Sequence, residues 1–208
     1  MKLNSIPVRK IIVYLLYILL IPSIQITLCS KYAIIGQTAD LMLVFAVLTG
    51  FLYGFREGMI IGGLVGLIRD IFASPVIAGA DNSLSLSFGL GMLIMFLAGV
   101  FGAIFFEGRT NRNFPLGVLA VFIFTLLYKT AGHLAVYIWN SAFIGGVNAP
   151  DIAVILRDSV LISVLLNAAA SVPLYFLLKY LGPVRSSGRQ TSGKKELTYG
   201  DSGKWLTI

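Results

Sequence analysis

Charge is what this sequence has least of. Only 12% of its 208 residues are Asp, Glu, Lys or Arg, against 57% hydrophobic, and the mean hydropathy is +0.89. A soluble domain needs a charged exterior that this composition does not supply, so lipid is expected to solvate much of the outside. Cysteine and histidine each occur once, at Cys29 and His133. A single cysteine excludes an internal disulfide, and a lone histidine is a poor start for a metal site. No HExxH, GxSxG or Gly-rich phosphate loop ending in Lys-Ser/Thr is present. Cys29 has only His133 as a possible base. No catalytic residue, metal or cofactor is expected.

The long apolar runs are what remains. A membrane-crossing helix needs roughly 20 mostly apolar residues, which leaves room for about six spans and little else. The expected architecture is all-α: a polytopic membrane domain over residues 1–182 and a basic, disordered cytoplasmic tail over 183–208, rich in Ser, Gly, Lys and Arg. Lys2, Arg9 and Lys10 precede the first uncharged run, 11–29. That run is longer than a usual signal core, and no small-x-small cleavage site follows it. Leu28 before Cys29 also argues against lipoprotein processing, so a retained first helix is expected.

The predicted helices are 11–29, with Pro22 inside; 39–55, opening near Asp40; 58–73, after a tight turn at Arg56-Glu57-Gly58; 84–106; 114–139, interrupted by Lys129 and His133; and 152–181. Loops are expected at 74–83, 107–113 and 140–150. With the N-terminus inside, the inner segments hold Lys2, Arg9, Lys10, Arg56, Arg109, Arg112, Lys179, Arg185, Arg189, Lys194, Lys195 and Lys204. The outer segments hold Lys31, with Arg69 and Arg157 near the membrane edge. This asymmetry places both termini in the cytoplasm, and it assigns the net charge of +7 to topology and anionic lipid rather than to nucleic acid.

Within the third helix, Gly58, Gly62 and Gly66 recur every four residues and Asp70 continues the series, so all four lie on one stripe. Such glycines let a second helix approach closely, and packing within the chain is favoured over a dimer face. A carboxylate in or near the bilayer needs a partner. For Asp70 the candidates are Lys129, Arg157 and Arg69, with a water-interface position as the alternative. Lys129 and His133 share one helix face. Lys129 is expected to pair with Asp40, Asp70 or Asp158, to line a ligand site, or to snorkel. Asn167 in the last helix is expected to hydrogen-bond a neighbouring helix, and Pro173 to bend its own.

Taken in order, these elements resemble the rod shape-determining protein MreD family of bacteria. The resemblance runs over residues 5–182. It rests on the basic N-terminus, Asp40-Leu41 opening helix 2, Arg56 before helix 3, the Gly62-x3-Gly66-x3-Asp70 pattern followed by Ser74, and Pro150 before a helix carrying Asn167, Pro173 and Lys179. Position 39 is Ala where that family often has Pro, the segment after Asp70 is longer, and so is the tail. The resemblance implies a six-helix fold similar to the substrate-binding S-components of energy-coupling-factor transporters. It also implies a non-enzymatic part of the rod complex, or elongasome, in the bacterial inner membrane, which directs side-wall peptidoglycan synthesis and cell shape. The implied partners are MreC above all, then MreB, RodA and its class B penicillin-binding protein. A vitamin- or metal-binding S-component is the competing expectation. Against it, the first helix is Ile-, Leu- and Tyr-rich and lacks the small-residue face that docks a coupling subunit. A small channel or lipid-handling protein is a weaker third.

Overall fold

The computed structural model describes residues 8–27, 31, 33–34, 36–72, 76–78, 84–86, 89–104, 113–143 and 156–183. The architecture is helical: α1 (Val8–Thr27), α2 (Leu41–Tyr53), α3 (Phe55–Phe72), α4 (Leu90–Ile104), α5 (Phe114–Phe143) and α6 (Ile162–Leu181), the last preceded by a π-helical turn, Leu156–Leu161. α1, residues Phe114–Leu134 of α5, and Ser159–Leu181 are long and apolar enough to cross a membrane, while α2 and α4 are apolar but shorter. At 1.5 Å per residue the 13 residues of α2 cover only about 20 Å. Ten of them are buried, so α2 is the inner helix that the others surround.

Lipid-facing and core-facing positions separate by helical period. α1 buries Tyr14, Tyr17, Ile21 and Pro22, while Ile11, Leu15 and Leu19 on its other side are exposed. The core runs along α2, from Met42 to Phe51, and is closed by Ile61 and Val65 of α3, Met95 and Ala98 of α4, Ala120 and Val121 of α5, and Tyr175 and Leu178 of α6. An apolar exterior of this kind is unstable in water and matched to lipid.

Three boundaries differ from the sequence expectation. The turn between α2 and α3 is at Gly54, not at Arg56-Glu57-Gly58, all three of which lie inside α3. Gly54 adopts φ +103°, a conformation that residues with a side chain rarely take, and it both donates to Gly50 O and accepts from Gly58 N. α4 starts at Leu90 rather than at 84. Leu84–Leu86 is instead a strand paired antiparallel with Val76–Ala78, inside what reads as a loop. Its apolar-Ser-apolar alternation has the two-residue period of a strand, and Gly89 at φ +98° separates it from the helix. α5 continues to Phe143, past the expected start of a loop at 140. The last helix is π-helical over Leu156–Leu161 and α-helical from Ile162, and its expected start at 152 lies outside the described residues. Cys29, Ser74, Pro150, the loop residues 107–112 and 144–150, the tail from 184 and the side chains of Arg157 and Asp158 lie outside the described residues.

Candidate functional site

The glycine stripe of α3 faces α4 in an antiparallel register. A β-carbon added at Gly58 would lie 2.5 Å from Gly99 O. One at Gly62 would strike Met95 O, and one at Gly66 would lie 2.5 Å from Met92 Cα. Each step of four along α3 is thus a step back of three or four along α4. Gly50 of α2 meets the same Gly99 carbonyl, and Gly102 meets Val47 O, so three helices share one glycine-lined junction. Backbones this close gain dispersion contacts that any side chain would prevent. Gly63, one position off the stripe, has only Phe96 Cδ2 at 4.0 Å and marks the edge of the contact.

At the end of that stripe Asp70, 1% exposed, turns its carboxylate onto the start of α4. Oδ2 accepts from Gly89 N (2.8 Å) and Met92 N (2.9 Å), and Oδ1 accepts from Gly91 N (2.9 Å). The first N–H groups of a helix have no partner within it and carry its positive dipole end, so an anion there is stabilised twice. Gly91 makes room for the group, since a β-carbon at that position would collide with Asp70 Oδ1.

A second polar network lies at the same end of the molecule, where α2 begins. Asp40 caps α2 through Oδ1 to Leu43 N (3.1 Å) and holds Arg69 Nη1 at 2.9 Å through Oδ2. Its backbone N–H donates to Asn167 Oδ1 (2.6 Å), and Asn167 Nδ2 donates to Thr125 Oγ1 (3.2 Å). Asn167 and Thr125 are both fully buried. Gln25 of α1 completes the arrangement: Nε2 donates to Ala39 O (2.9 Å) and Oε1 accepts from Leu41 N (2.6 Å). Ser163 Oγ donates to Gln37 Oε1 at 2.9 Å. These bonds reach across α1, α2, α3, α5 and α6 around one helix N-terminus.

The polar residues singled out from sequence therefore fall into three places. Asp40 and Asn167 are bonded together, with Arg69 as the partner of Asp40. Lys129 lies within electrostatic range of Asp40 and Arg69, but among the described residues it makes no ion pair within 4 Å. Asp70 is on the N-terminus of α4. His133 Nε2 is 3.1 Å from Ser159 Oγ. Pro173 lies inside α6, which is helical on both sides of it. Gln25, Gln37, Thr125 and Ser163 were not anticipated. Single polar residues on apolar helices carry no periodic signal, and only Gln25, in the middle of an otherwise apolar run, could have been flagged.

The opposite end carries a matching set of ties. Tyr53 Oη donates to Leu178 O (2.6 Å), and Tyr17 Oη donates to Leu181 O (3.3 Å) and Leu177 O (3.4 Å). Leu178 and Leu181, among the last four carbonyls of α6 that lack partners within the helix, are thereby satisfied by tyrosines of α2 and α1. Lys10 Nζ pairs with Glu57 Oε1 at 2.5 Å, joining the starts of α1 and α3. Among the described residues no three His, Cys, Asp or Glu groups gather as metal ligands. No protein-family model, no curated protein and no solved structure matches the chain.

Proposed function

We propose that this chain is a six-span, non-enzymatic scaffold of the MreD kind in the bacterial inner membrane. In this reading both termini are cytoplasmic, and the chain acts through helix contacts with MreC and, around it, MreB, RodA and the class B penicillin-binding protein. The observation that carries the reading is where the polar groups are used. Asp40, Arg69, Asp70 and Asn167 bind one another and helix ends, which suits a protein whose work is to keep a fixed helix arrangement. The six helices, the glycine-lined face of α3 with Asp70 at its end, and Asn167 at a helix crossing supply the pattern on which the resemblance rests. The positions of Arg69 near one end and of Lys10, Arg56 and Lys179 near the other agree with the inside-positive charge bias.

The test is affinity purification of the full chain in mild detergent from its native bacterium, with mass spectrometry of what accompanies it. MreC, RodA and the penicillin-binding protein are expected. Paired ATPase subunits with a coupling membrane protein would overturn the scaffold reading in favour of a transporter S-component. Depletion in a rod-shaped host lacking a second copy is expected to round the cells, and unchanged rods would also refute it.

A further inference from the structure

Among the described residues α1 touches its neighbours along one side, and between it and α3 runs a groove in two connected parts. The part near the start of the two helices, about 240 Å³, is lined by Lys10, Tyr14, Arg56, Glu57 and Ile60. The part further along the helices, about 480 Å³, continues past Ile11, Tyr14 and Ile61, which line both, to Leu15, Leu19 and Leu64. The groove therefore has a charged mouth and an apolar floor. Two cations face one carboxylate at the mouth. Lys10 is already joined to Glu57, while Arg56 is exposed and, among the described residues, makes no ion pair. The mouth is left with one uncompensated positive charge at the end of a membrane-crossing helix, where lipid headgroups lie.

We infer that this groove holds one anionic phospholipid, its phosphate at Arg56 and Lys10 and one acyl chain along α1 and α3. The charge of the mouth selects this occupant: Lys10 and Arg56 against the single carboxylate of Glu57, above an apolar lining. From Lys10 to Leu19 the groove runs about 14 Å at 1.5 Å per residue, half of a hydrocarbon core about 30 Å thick. That is the depth of a single leaflet, the reach of one acyl chain. A guanidinium binds a phosphate through two parallel N–H donors, and Tyr14 lines both parts of the groove, where head and tail meet. The inference needs only that α1 crosses the membrane with its start at a surface, and it stands apart from the scaffold reading.

The test reconstitutes the full chain in vesicles of equimolar phosphatidylethanolamine and phosphatidylglycerol, extracts it in mild detergent, and counts retained lipids by native mass spectrometry. One phosphatidylglycerol per chain is expected to be retained ahead of phosphatidylethanolamine. Arg56→Gln is expected to lower that retention about fivefold, the effect of one basic residue at an anionic surface, and Arg56→Lys to leave most of it. Glu57→Gln is expected to raise retention, because it frees Lys10 and removes a repelling charge, an effect opposite to that of damaging the fold. Leu64→Trp, at an exposed position, is expected to displace the acyl chain and lower retention with no change of charge. Equal retention of the two lipids overturns the inference. So does retention that follows charge alone and is indifferent to Leu64→Trp, the mark of a diffuse basic surface without a site.

Discussion

Replacing Asp70 by Asn is expected to loosen the junction between α3 and α4 while changing the shape of the side chain very little. The carboxylate receives three backbone N–H groups, two on Oδ2 and one on Oδ1. An Asn amide has one acceptor oxygen. Its better orientation keeps Gly89 N and Met92 N satisfied and turns an NH₂ toward Gly91 N, leaving that buried donor unmet at a cost of about 1–3 kcal/mol. The charge at the helix N-terminus is lost as well, about 1 kcal/mol more. A total near 3 kcal/mol is expected to lower the thermal midpoint by about 6–12 °C for a chain of this size, read by circular dichroism in mild detergent. Gly91→Ala is expected to act on the same contact from the other side, since its methyl group would displace Oδ1. The two substitutions combined should cost less than their sum, because each disrupts the same contact. Lys129→Met combined with Asp70→Asn should be additive within about 0.5 kcal/mol, since none of the described bonds of Asp70 involves Lys129. An Asp70→Asn protein as stable as the parent, or sub-additivity with Lys129→Met, would refute this assignment; the second result would mean that Asp70 is paired across the membrane interior instead.

The Asp40–Arg69 pair is the contrasting case. Asp40→Asn and Arg69→Met are each expected to destabilise by about 3 kcal/mol, as when one partner of a largely buried pair is removed, with a coupling energy of about 1–3 kcal/mol in a double-mutant cycle of unfolding in detergent. On α3, Gly62→Ala is expected to cost about 1–3 kcal/mol, because the obstructing atom is the Met95 carbonyl oxygen, which cannot turn aside. Gly63→Ala, where only Phe96 lies near, is expected to be neutral or stabilising by up to about 1 kcal/mol through helix propensity. The pair separates helix-to-helix contact from backbone effects in one thermal-shift experiment. Tyr53→Phe is expected to cost about 1 kcal/mol, the value of its bond to Leu178 O, and a larger loss in Tyr17→Phe would contradict its longer contacts with α6.

Much of the helical plan is legible in the sequence, and the reason is the bilayer. Runs of apolar residues between charged or Gly-rich breaks announce helices with little ambiguity, and a four-residue glycine spacing announces a close helix contact. Which helix meets the stripe is not written in the spacing. It follows from α4 carrying Gly91, Gly99 and Gly102 on the side that α3 and α2 require, a pattern that takes the three-dimensional register to read. Arg69 had several carboxylates to choose from, and only the meeting of the end of α3 with the start of α2 selects Asp40. The three bonds of Asp70 to the start of α4 are hidden for a different reason: they are to backbone N–H groups, which every residue but proline owns and no sequence pattern advertises. The strand pair was missed because three residues are too few for a period to outweigh a neighbouring apolar run.

The clasp of Asp70 on Gly89, Gly91 and Met92 also has a practical consequence. It joins the end of one helix to the beginning of the next independently of whatever connects them along the chain. Residues 73–88 are thereby relieved of most of the task of positioning α4, and lengthening a connection whose ends are already held adds only about 0.6 kcal/mol of closure entropy per doubling. A reporter domain or epitope spliced into that connection should leave the helix pair intact, making it the natural place to attach a label that reports which side of the membrane this end of the molecule faces.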